Sequence, residues 1–75
     1  MGAVVVSRVG KASKRAVRRL REAGAVSPQR AVPLPDVGLK MGLGERWLVL
    51  RGVIKEGDKG RYWLDERAVR RVWGR

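Results

Sequence analysis

A chain of 75 residues makes one domain with a small core, because short chains bury a modest fraction of their surface and leave no room for a deep cleft. It has no Cys and no His. This excludes disulfides, thiolate chemistry, the usual structural zinc sites and the commonest general base, so a non-enzymatic protein without cofactor, metal or small-molecule substrate is expected. Eighteen Lys and Arg against seven Asp and Glu give a formal charge of +11, which points to a polyanionic partner.

Residues 1–10 read as an N-terminal arm, loose and flexible, in which Val4, Val5 and Val6 could pair as a strand but show no alternation to orient them. The longest apolar run there, residues 3–6, is too short for a membrane span or a signal peptide, so a cytoplasmic protein is expected. Asn, Thr, Phe, His and Cys are missing and Gln occurs once, a profile that suits a thermophile.

Residues 11–75 read as a single domain. Ser13 stands where an N-cap would, and Ala16, Val17, Leu20 and Ala23 then recur at the spacing of one helical face until Gly24 supplies a stop. The other face carries Lys14, Arg15, Arg18, Arg19 and Arg21, with Lys11 just before them. So many cations on about three turns repel one another unless an anion arrives, and phosphate is the anion that fits. A membrane-surface helix is the weaker reading, since the apolar face lacks an aromatic.

Pro28, Pro33 and Pro35 rule out a helix interior over residues 25–35 and predict an extended connection. Asp36 can cap a very short helix with Val37 and Leu39 inward, and Gly42 and Gly44 mark a turn before a second short helix over residues 45–51. Gly52 ends that helix. Residues 53–56 and 61–64, joined by Gly57, Asp58, Lys59 and Gly60, carry the clearest signal in the chain, a two-stranded β-hairpin. Asp65 caps a last helix with Ala68, Val69, Val72 and Trp73 on one face and Arg67, Arg70, Arg71 and Arg75 outside it.

Other patterns fail on inspection. Gly10 and Lys11 superficially suggest a phosphate-binding loop, but Val5 stands where its first glycine belongs and Ala12 where its Ser or Thr belongs. Gly42 and Gly44 lack the third glycine of a dinucleotide fingerprint. No two carboxylates form an acid-base pair: Asp65 and Glu66 suit a helix start, Glu56 and Asp58 a hairpin tip. Alternation along the hairpin sends Ile54, Tyr62 and Leu64 inward and Arg61 and Trp63 outward. There Trp63 either stacks on a base or packs on the arm, the last helix or a second subunit. Trp47 and Trp73 read as core or dimer residues.

Leu48, Val49, Leu50, Arg51, Gly52, Val53, Ile54 and Lys55, then Gly60, Arg61, Tyr62, Trp63, Leu64 and Asp65, resemble the end of the recognition helix, the glycine and the wing of the winged-helix variant of the helix-turn-helix family. Residues 21–25 similarly resemble the exit from that family's first helix. The resemblance covers about residues 13–73. It implies an α+β fold, a compact winged helix with three to four short helices, a C-terminal two-stranded hairpin wing and a final helix. It also implies double-stranded DNA binding, by a regulator or a chromatin-like protein. Residues 45–51, with Arg46 and Arg51, would lie near the major groove, and Lys55, Lys59 and Arg61 would belong to the wing. Lys40 and Arg46 are the candidate base contacts, and the first basic helix would rest on the backbone. The alternative is a structural or adaptor protein docking on RNA or on an acidic protein surface in a larger assembly. A homodimer is compatible with either, since a chain this small gains core by pairing.

Overall fold

The computed structural model describes residues 2–73, with side chains from residue 10 onward. Three α-helices and a three-stranded antiparallel sheet follow in the order α1 (Gly2–Glu22), β1 (Val32–Pro33), α2 (Leu43–Leu50), β2 (Ile54–Glu56), β3 (Arg61–Leu64) and α3 (Glu66–Trp73). Short 3-10 segments occupy Pro28–Arg30, Leu34–Val37 and Asp58–Gly60. Among the described residues no helix is long and apolar enough to cross a membrane.

The backbone expected as a loose arm is helical from Gly2, so Ser13 is no cap: it lies fully buried in mid-helix, and its hydroxyl donates to the Gly44 carbonyl at 3.4 Å. Extending an existing helix adds one bond per residue fixed, which is far easier than nucleating one, and Gly10 within it does not break it. Arg75 lies outside the described residues.

α1 ends as expected. Gly24 takes the left-handed conformation at φ +73°, its N–H reaches Arg21, and the Ala25 N–H reaches the Leu20 carbonyl at 2.9 Å. This is a Schellman cap, and it turns the chain so that Ala25 enters the core. The same bond pattern closes the segment 34–39, where Leu39 reaches back to Leu34, and α2, where Val53 reaches back to Leu48. Asp36 therefore sits inside its 3-10 segment, exposed, and caps nothing; Pro33 holds the cap position.

The sheet has three strands, not two. Its order is β1-β3-β2, with Val32 opposite Tyr62 and Ile54 opposite Leu64. The proline-rich connection supplies the extra strand: Pro33 lacks an N–H to donate, and an edge strand is where a sheet tolerates that. The hairpin turns on Lys59 at φ +60° and Gly60 at φ +69°, with the Arg61 N–H on the Asp58 carbonyl, the double left-handed pattern of a tight hairpin turn.

The core gathers Ala16, Val17 and Leu20 from α1, Leu48 from α2, and Ile54 and Leu64 from the sheet. Burying a Leu contributes about 1.5 to 3 kcal/mol, so these few side chains carry much of the fold. α1 packs chiefly on α2, and the approach is close. A Cβ on Gly44 would lie 2.5 Å from the Ala12 Cβ and 3.2 Å from the Ser13 nitrogen. Gly44 is thus a helical residue at a helix crossing, and the glycine read as a turn marker is there because nothing larger fits.

Candidate nucleic-acid interface

α1 buries Ser13, Ala16, Val17 and Leu20, which leaves Lys11, Lys14, Arg15, Arg18 and Arg19 exposed along its remaining surface. Their carbon stems are close enough to share one phosphate backbone, since residues three and four apart project together. Two of them meet a third cation from a distant part of the chain. Arg15, Arg19 and Lys40 line an open groove of about 510 Å³ between α1 and the start of α2. Glu45 also lines it, but that carboxylate is buried and accepts the Gly42 N–H at 3.1 Å, so it completes half a capping box for α2. Arg19 has a structural duty as well: its guanidinium donates to the Val37 carbonyl at 3.2 Å.

Further along α1 the charge is mixed. A shallower hollow beside Arg18 is shared with Glu22 and Asp36. Arg21 is drawn off altogether by Glu66 of α3, in a two-pronged pair with both distances 2.7 Å. That contact raises the Arg21 pKa and, through the Arg21 hydrogen bond, holds the Glu66 carboxyl below its ordinary range.

The hairpin divides in the same way. Lys55 pairs with Asp65 at 2.7 Å and lies 5.5 Å from the centre of the Trp63 ring. The Lys55 bond lowers the Asp65 pKa, and Asp65 also accepts the Arg67 N–H at 3.0 Å as the expected cap of α3. Lys55 and the half-buried Trp63 therefore occupy each other. Lys59 and Arg61 at the tip are exposed. They share a hollow with Asp58 and with Pro28, Gln29 and Ala31, so the segment Pro28–Arg30 runs beside the tip and Arg30 adds an exposed cation that sequence reading left out.

No family model, curated protein or solved structure matches the chain. Arg51 follows the last turn of α2 and lies 5.4 Å from the Trp47 ring, which meets Trp73 edge-on at 6.1 Å. Trp47 and Trp73 pack on the core, as expected. Arg46 is exposed on α2, but its surroundings are apolar: Met41, Val49, Leu50 and Tyr62, with Glu56 opposite. Sequence periodicity missed this face, because α2 is apolar on nearly all sides and the pattern does not say which side is covered.

Proposed function

We propose that the chain binds nucleic acid through phosphates, with double-stranded DNA as the favoured ligand and little dependence on base sequence. One observation carries the reading. Arg15 and Arg19 of α1 and Lys40, distant from them in sequence, face one groove, and among the described residues none of the three is in an ion pair. Such a cluster on a chain of charge +11 is stabilised by a polyanion that releases its counterions on binding.

Two further features support it. Lys59 occupies a left-handed position at the hairpin tip, where Gly or Asn is more favourable and a side chain such as Lys costs about 1 kcal/mol, so a cation there is consistent with a contact. The element order helix, strand, 3-10 segment, helix, hairpin supports the winged-helix reading, with α2 in the place of the recognition helix and the hairpin as the wing. Base reading is the weaker half of it. α2 turns Leu43 and Leu50 to solvent, 76% and 84% exposed, and Arg46 is its one outward cation before the Arg51 cap. Phosphate contacts position a protein without specifying sequence.

The test is a salt series of duplex titrations. Each phosphate contact contributes about 0.9 to the log-log slope, so the double variant Arg15→Ala, Lys40→Ala should lower the slope by about two with its melting temperature unchanged. Arg46→Ala should leave the affinity for duplexes of different sequence nearly unchanged. A flat salt response in the parent chain would remove nucleic acid as the partner; a loss confined to one duplex, of about 1 to 3 kcal/mol, would make Arg46 a base reader after all.

A further inference from the structure

The solvent side of α2 is a second surface, chemically unlike the first. Leu43, Arg46 and Leu50 fall at i, i+3 and i+7, so they form one stripe along two turns, apolar at both ends and cationic in the middle. Beside the stripe, Met41, Val49 and Tyr62 line an open groove of about 330 Å³ between α2 and the hairpin. Exposed apolar residues scattered singly need no explanation, but here Met41, Val49 and Leu50 line one groove, Leu43 stands on the same helical stripe as Leu50, and all four are more than a third exposed. Glu56 stands across the groove, yet among the described residues Arg46 has no ion-pair partner.

We propose that this stripe docks an amphipathic helix of a partner protein that carries a carboxylate between two apolar side chains. Charge selects the occupant. A covered Arg46 needs an opposing carboxylate, because a desolvated charge left without a partner is strongly unfavourable. A second copy docked α2 against α2 about a two-fold axis brings Arg46 against its own equivalent, on chains that each already carry +11. A helix with Leu, Glu and Leu at matching spacing lays its apolar ends on Leu43 and Leu50 and its Glu on Arg46. The cations Arg15 and Lys40 line the other groove, which the stripe meets at Leu43, while Arg46 and Leu50 lie outside it.

The probe is a pair of labelled synthetic helical peptides, one with Glu between its two Leu and one with Lys in that place, titrated by anisotropy against the full chain. The Glu peptide should bind about tenfold more tightly than the Lys peptide, and the preference should invert on Arg46→Glu. Leu50→Gln should weaken the Glu peptide about fivefold or more. Since Leu50 is exposed, its variant keeps the parent melting temperature. Equal binding of both peptides, or no effect of Leu50→Gln, overturns the proposal. So does a dimer in sedimentation that Leu50→Gln dissociates, which would assign the stripe to a second copy. Duplex titrations on the same variants keep the two readings apart: failure to bind DNA with peptide binding intact sinks only the nucleic-acid reading, whereas equal losses of peptide and DNA on Leu50→Gln assign the stripe to nucleic acid.

Discussion

α1 and α2 pack against each other through Gly44, Ala12 and Ser13, yet they present opposite chemistry to solvent. The outer surface of α1 is cationic from Lys11 to Arg19, whereas that of α2 is apolar around a single Arg46. The difference shows that position in the fold, not hydrophobicity, decides which side chains are covered. Leu48 and Leu50 are chemically identical neighbours on one helix, one at 0% and the other at 84% exposure.

That contrast gives the largest expected effect. Leu48→Ala should cost about 2 to 5 kcal/mol of unfolding free energy in urea titration, while Leu50→Ala should stay within about 0.5 kcal/mol. Comparable losses from both would mean that the outer face of α2 is covered within the molecule itself.

The crossing between the helices comes next. In an open helix Gly→Ala stabilises by up to about 1 kcal/mol, but Gly44→Ala places a methyl against Ala12 and should destabilise by about 1 to 3 kcal/mol. A stabilised variant would show that α1 and α2 are not held this closely.

On the cationic side, Lys59→Asn relieves the left-handed backbone at the hairpin tip. Calorimetry should show about 0.5 to 1 kcal/mol of added stability, and duplex affinity should fall because a cation is gone. Higher stability with unchanged affinity would place the tip away from the ligand.

The smallest effect separates Arg21, paired with Glu66, from Arg15 on the same helix. Asp65 and Glu66 have folded-state pKa values lowered, by Lys55 and Arg21 respectively. As pH falls through the ordinary carboxylate range near 4, the unfolded chain takes up protons first. The stabilisation from these pairs is fully present above that range and is lost below it. Exposed pairs contribute about 1 kcal/mol or less, so Glu66→Gln should shallow the acid limb of the stability curve slightly and leave neutral-pH duplex binding alone. Arg15→Ala should do the reverse, and a shared response would mean that the pair also shapes the cationic groove.

How far the sequence foretold this molecule depends on the reach of each signal. Capping and turn chemistry act within six residues, so Gly24, Gly52, the Asp65 cap and the hairpin at Gly57 and Gly60 were legible and lie where they were expected. One local signal went unread: Leu, three residues, Gly, then an apolar residue recurs at 20–25, 34–39 and 48–53, and each copy closes with the same pair of bonds and buries the residue after its glycine. The cations of α1 were legible as a face, but their division was not. Arg21 and Lys55 look like their neighbours in sequence and are consumed by Glu66 and Asp65.

By itself, then, the sequence determined the sign of the surface, the helix ends and the hairpin, all of which follow from composition or from contacts between near neighbours. Only the tertiary structure decided the rest. Val32 and Pro33 become a strand because β3 arrives beside them, Gly44 is required because α1 passes 31 residues from it in sequence, and Lys40 joins Arg15 because the chain between them folds back. On α2, an apolar helix with no clear polar side, packing alone chose which leucines are hidden, since one short helix in a small domain has neighbours to cover only one of its faces.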